Sequence, residues 1–255
     1  MSFGVCTLSV VPCRAEGNDR AEIVTQLLFG EHYTVLEEKE KWVKIRMAFD
    51  NYEAWICRKQ FTEITSQEFD ELSLNEFDLV REYIAEVNNS KKGKQLIPLG
   101  STLPYLHNNQ LKIRTNSYKY KGEVSPKDFT KIKEVALTYK NTPYLWGGKS
   151  PFGIDCSGFS QMVYKLCGIK LPRDAYQQAE LGETVNFVTN AKTGDLAFFD
   201  NAEGHITHVG IVFENDQIIH ASGEVRIDLL DHNGIYNDDL KTYTHRLRII
   251  KRFQS

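Results

Sequence analysis

Residues 147–160 read GGKSPFGIDCSGFS. Two glycines open the stretch, an acid precedes one thiol, and Ser157-Gly158 follow it. The run 155–168, DCSGFSQMVYKLCG, has helical spacing, with Phe159, Met162, Val163 and Leu166 on one apolar face. Asp155 suits the N-cap, Cys156 the first helical position, and Gly168 a left-handed C-terminal cap. A thiol attacks as its thiolate, and the dipole and unpaired N–H groups of a helix start favour that anion. The same N–H groups could hold a developing oxyanion. Gly147, Gly148 and Gly153 would let backbone approach a substrate closely. The competing reading is that Cys156 is a small packed residue, as most helical cysteines are; Cys167 fits that reading well.

A nucleophilic thiol needs a base. The chain has seven histidines, and two stand out by position: His208 opens HVGIVFE (208–214), and His220 lies in QIIHASG (217–223). If Glu214-Asn215-Asp216 is a three-residue hairpin loop, Phe213 pairs with Gln217 and His208 falls opposite Ser222. His220 is then the diagonal neighbour of His208 on the same face. His208 can act as base while His220 orients its ring. Two histidines and a thiol could also bind zinc.

The elements that must position these residues follow from pattern. At 255 residues, with 41% hydrophobic and 25% charged, the chain has the composition of an ordinary globular protein of one to three domains. Its net charge of −3 gives no basic footprint for nucleic acid. No apolar run approaches the ~20 residues of a membrane helix. The five cysteines are odd in number and fit neither a zinc ribbon nor a CxxC pair. HYTVLEE (32–38), WVKIRMA (42–48) and EAWICRK (53–59) alternate like strands and predict a small antiparallel barrel over 1–62. Residues 63–124 carry FDLVREYIAEV (77–87), helix or strand by period, and LIPLGSTLPYL (96–106), and predict a second, degenerate barrel. From 125 the character changes. SPKDFTKIKEVALTYKN predicts a helix with Ser125 as N-cap, Pro126 at its first position and Asp128 at its third. Four strand candidates close the chain, so 125–255 is an α+β domain, helices first and antiparallel sheet second.

The order Y-x-W-G-G, D-C-S-G-F, H-V-G, I-H-A-S resembles the NlpC-type family of papain-like cell-wall cysteine peptidases, over about residues 127–255. GEHYTVLEEKEKWVKI followed by NYEAWI resembles a bacterial SH3-type domain, with Asn51 where a glycine is usual. The resemblance implies a papain-like catalytic domain preceded by one or two SH3-like barrels. It implies Cys156 as nucleophile, His208 as general base and His220 as third polar residue, with no metal or cofactor. It places Tyr144 near the thiol and Asp155 and Ser157 along the cleft. It implies peptidoglycan stem peptides as substrate, cut between γ-D-glutamate and a diamino acid. Members with such barrels resemble dipeptidyl peptidases that require a free N-terminal L-alanine. The matching amine-pocket residues here are Glu22, Tyr52 and Asp174. Two carboxylates and a phenol would select an ammonium over a blocked end. Acyl transfer or amidase chemistry on the same triad, and a non-catalytic wall-binding module, are the rival functions. The first twenty residues do not read as a signal peptide, which gives a cytoplasmic expectation, or the envelope if a leader has been removed.

Overall fold

A computed structural model describes residues 2–89, 91 and 93–253. They divide into two compact units, Met1–Pro126 with Trp146–Pro151, and Lys127–Leu145 with Phe152–Ser255.

The first unit holds a seven-stranded antiparallel sheet in which His32–Glu38, Trp42–Met47 and Glu53–Cys57 are consecutive neighbours. Val43, Ile45 and Met47 enter its core, while Lys44 and Arg46 point outward to Glu53. Asn51 makes the turn before the third strand with φ 60°, a conformation asparagine tolerates better than most residues. A second sheet joins Gly93–Pro98, Ile84–Asn89, Asn116–Tyr120 and Gln110–Ile113. Its Val87, Ile97 and Tyr118 share one core with Val5 of the first sheet and with Phe29, in the turn after Ile23–Leu28. The ambiguous run 77–87 is strand, in two pieces: Asp78–Leu79 and Ile84–Asn89. A helix that the pattern did not predict, Ser66–Leu74, begins with a capping box between Thr65 and Glu68.

Trp146–Pro151 packs within this first unit. Gly147 has φ 74°, and a Cβ there would meet the Ile23 carbonyl oxygen at 2.3 Å. The Lys149 ammonium is fully buried against Glu31 (3.3 Å), and the Lys149 backbone N–H donates to Gln26 Oε1 (2.8 Å). The Tyr83 hydroxyl donates to the Pro151 carbonyl at 2.5 Å. The close backbone approach that Gly147 permits is therefore to protein, not to substrate. Gly153 is likewise filled, its Cβ position lying 2.7 Å from the Leu145 side chain.

In the second unit the expected cap moves. Ser125 is buried, and its N–H donates to the Leu79 carbonyl. Lys127 takes φ 50°, which no helix can follow. Asp128 instead caps a 3-10 turn, Phe129–Lys131, and the α-helix proper is Ile132–Thr138. The next helix is Cys156–Leu166, and all eleven of its residues are buried, not just one face. Its polar residues are matched inside: Ser160 donates to Gln178 (2.7 Å), Gln178 to the Ser157 carbonyl (3.1 Å), and Gln161 to the Leu171 carbonyl (3.0 Å). A sheet then runs Glu183–Val185, Thr242–Arg252, Leu196–Asp200, Ile206–Phe213, Gln217–Ser222, Glu224–Leu230, Gly234–Asn237. The last of these also pairs with Thr242–Arg252, so six strands close into a ring around Ala197, Phe199, Val212, Ile218, Leu230, Ile235 and Ile250.

Candidate active site

Cys156 is the first residue of its helix and Asp155 is the N-cap, its carboxylate accepting the Gly158 N–H at 2.6 Å. A buried guanidinium completes this corner. Arg173 is 1% exposed and grips Asp155 through two bonds, 3.0 and 2.5 Å, while donating to the Ser157 hydroxyl at 2.9 Å. The side chains of Asp155 and Ser157 thus help to hold the helix start in place.

The thiol is not acidic at rest. Burial pushes Cys156 up to about 12, and the Asp155 carboxylate adds to the rise; the Val209 N–H, Arg173 and the Ser157 N–H pull the other way without prevailing. The helix start does supply N–H groups, but burial outweighs them, which corrects the expectation of a ready thiolate. Tyr144 lies in the same corner. Its phenol is pushed far up by burial, with Cys156 and Asp155 adding to the rise and Arg173 opposing it. Tyr144 is placed there by its N–H, which donates to the Gly223 carbonyl, and by a bridge to Ile154.

Val209, whose N–H reaches the thiol, follows His208 in the chain. The hairpin register is Phe213 opposite Gln217 and Gly210 opposite His220, with Asn215 and Asp216 at positive φ in the loop. His208 and His220 therefore share a face, and His208 Nε2 stands 2.8 Å from His220 Nδ1. Three further residues, missed in the sequence, complete this end of the ring. His220 Nε2 stands 3.0 Å from Asp228 Oδ2. Arg226 donates to both oxygens of Asp228, at 2.8 and 2.9 Å. His245 stacks on His208 with ring centroids 4.0 Å apart. Burial, then the neighbouring His220 and His245, hold His208 well below its ordinary range. Burial likewise holds His245 down, to about 4.

The ring nitrogens of His208, His220 and His245 lie within 4.8 Å of one another. They do not fit a chelate. The His208 and His245 rings are 23° from parallel, so their lone pairs run side by side, and the His208–His220 edge is closed by a hydrogen bond. The arrangement is one for moving a proton along a line.

The other expected residues belong to both units. Asp174 is half-buried and caps the helix Ala175–Ala179, in a capping box with Gln177. Glu22 and Tyr52 belong to the first unit. Glu22 is exposed and accepts the Trp146 indole N–H, and Tyr52 packs on the barrel core. His32, His107, His205 and His232 lie outside the line.

Residues 141–244 match the NlpC/P60 family, and residues 13–61 match the bacterial dipeptidyl-peptidase Sh3 domain. The chain is 31% identical over 240 residues to a γ-D-glutamyl-L-lysine dipeptidyl-peptidase of Bacillus subtilis, covering 86% of this chain and 75% of that one. It belongs to the NlpC/P60 family. Another relative is dipeptidyl-peptidase 6 of Lysinibacillus sphaericus, 28% identical over 263 residues, with 89% of this chain and 92% of that one covered. A crystal structure of an NlpC/P60 family protein from Bacillus cereus superposes with TM-score 0.81 over 98% of this chain and 99% of that one, at 22% identity. The α+β papain-like fold with a small barrel ahead of it is thus the fold of this NlpC/P60 protein.

Proposed function

We propose that this NlpC/P60 protein is a cysteine peptidase that cuts the γ-D-glutamyl–diamino acid bond of murein peptides with a free N-terminal L-alanine, releasing L-Ala-γ-D-Glu. The observation that carries the reading is the buried line Asp228–His220–His208, ending one residue from the Val209 N–H that touches the Cys156 thiol. The bond and the dipeptide product are read from relatives named for them.

In this mechanism Cys156 is the nucleophile, His208 the base and His220 its orienting partner. Burial opposes charge on both the thiol and the imidazole. As sulfur attacks the γ-carbonyl carbon, the thiol proton passes to His208. The imidazolium then gives that proton to the leaving amine as the C–N bond breaks. Water, giving a proton to His208, adds to the thioester; the C–S bond breaks, freeing the γ-carboxyl, and the imidazolium returns that proton to the Cys156 sulfur. Tyr144 borders the reacting sulfur. Asp174, Glu22 and Tyr52 are assigned to the substrate ammonium by this reading. Five unpaired thiols suit a reducing compartment and extend the reading to the cytoplasm; immunoblotting of cytoplasmic and envelope fractions tests that part.

Incubation with L-Ala-γ-D-Glu-L-Lys and mass analysis of the products tests the whole. Wild type should release the dipeptide, and N-acetylation of the substrate should block it. Equal release by wild type and Cys156→Ala sinks the assignment. Equal cleavage of free and acetylated peptide removes the amine requirement and with it the roles of Asp174, Glu22 and Tyr52.

A further inference from the structure

A line of two histidines can carry its protons in either of two directions. If His220 donates from Nδ1 to His208 Nε2, then the one proton of neutral His208 sits on Nδ1, and no lone pair is left there to accept another. If His208 donates from Nε2 to His220 Nδ1, then His208 Nδ1 is bare and basic. The pair alone does not choose between these states.

Asp228 does. It lies on Glu224–Leu230, diagonal to His220 because His220 pairs with Arg226 in the register. It is 7% exposed, and its Oδ2 stands 3.0 Å from His220 Nε2. A carboxylate only accepts, so His220 Nε2 must carry the proton. Neutral His220 then has a bare Nδ1, which accepts from His208 Nε2 across 2.8 Å. That leaves His208 Nδ1 unprotonated. We propose that Asp228 is a positioning residue that, acting through His220, selects the tautomer of His208 whose Nδ1 is free to take the thiol proton. This rests on His208 being the base.

The surroundings keep Asp228 in that role. Arg226 holds both carboxylate oxygens and is itself held by Asp239 at 2.8 Å. Burial alone would raise the Asp228 carboxyl, but hydrogen bonds from His220 and Arg226 hold it below its usual value. The titratable groups facing His220 are His208 on Ile206–Phe213, His245 on Thr242–Arg252, and Asp228 and Arg226 on Glu224–Leu230. Of these, His245 is kept neutral by burial and adds no charge near neutral pH.

The experiment reads tautomers directly. Long-range nitrogen–proton spectra of 15N-histidine-labelled full-length protein at pH 7 should show both His208 and His220 protonated on Nε2. Protonation of His208 on Nδ1 in the wild type overturns the proposal without any variant. Asp228→Asn supplies the second arm. Arg226 should claim the new amide oxygen and turn the NH2 toward His220, reversing both tautomers. Alkylation of Cys156 by iodoacetamide at pH 7 should then slow ~100-fold, and kcat for peptide should fall comparably while KM moves less than ~3-fold, the scale of losing a positioned base. Asp228→Glu should restore part of the alkylation rate. An Asp228→Asn protein that keeps the wild-type tautomers and alkylation rate overturns the proposal. Spectra and alkylation that behave as stated in a protein that releases no dipeptide support the proposal and overturn the substrate reading alone.

Discussion

Cys156 and Cys167 stand at opposite ends of one helix, and burial pushes both thiols up to about 12. The dipole of that helix favours an anion at the first and disfavours one at the second, yet the two share the same raised value. What separates them is company. Beside Cys156 are two backbone N–H groups, Arg173, Tyr144 and a histidine line; the one charged neighbour that raises Cys167 further is Asp128. Burial raises both thiols, and the histidine line stands beside the first of them.

The largest contrast should appear on deleting each sulfur. Cys156→Ala should lower dipeptide release by more than ~1,000-fold, and Cys167→Ala should leave it within ~2-fold, both read as kcat/KM. Comparable losses at the two ends would erase the distinction. Next in size is the clamp found at the first end only. Arg173→Ala leaves Asp155 buried without its partner and should cost ~3–5 kcal/mol in urea unfolding, the usual range for half of a buried ion pair. Arg173→Lys should recover little, because an ammonium has no fork to hold Asp155 and Ser157 together.

Acidity gives a subtler contrast. With burial opposing charge on Cys156 and on His208, the rate of Cys156 alkylation should keep rising with pH from 6 to 9. A plateau across that range would instead report a preformed thiolate–imidazolium pair. The base must be neutral to act, and His208 is held well below 6.5, so the acid limb of kcat/KM should also lie below 6.5. His245, folded at about 4 against an unfolded value near 6.5, binds more protons when unfolded between these limits. Its contribution to stability is therefore whole above pH 6.5 and is lost as pH falls through about 4. His245→Phe should flatten that part of the curve in urea titrations at pH 4 to 7. The smallest effect expected is the stability cost of Cys167→Ala, ~1–2 kcal/mol for one buried sulfur in a well-packed site.

The parts legible in the sequence were those set by near neighbours. Asp155 as cap, Cys156 at the first helical position and the register that puts His208 and His220 on one face all follow from capping and one hairpin loop. Asp228 and His245 were not legible. Their places depend on two further hairpins and on the sheet closing upon itself, and a lone Asp in DLL or His in THR has no local signature. Arg173 was overlooked beside Asp174 because one fully buried guanidinium looks, in sequence, like any surface arginine. The Ser66–Leu74 helix is a different case: T-S-Q-E at 65–68 is a capping box, a local signal legible in the sequence. Ser125 misled because a good cap residue before proline was followed by a left-handed Lys127.

The ring of six strands has a consequence in time. Strand Thr242–Arg252 pairs with Leu196–Asp200 and with Gly234–Asn237, and it brings His245 onto His208. The pairing with Leu196–Asp200 joins segments some fifty residues apart, and closures of that span slow folding. A growing chain therefore carries His208, His220 and Asp228 before the strand that brings His245 onto His208. The stacking of His245 on His208 forms only once the ring is closed.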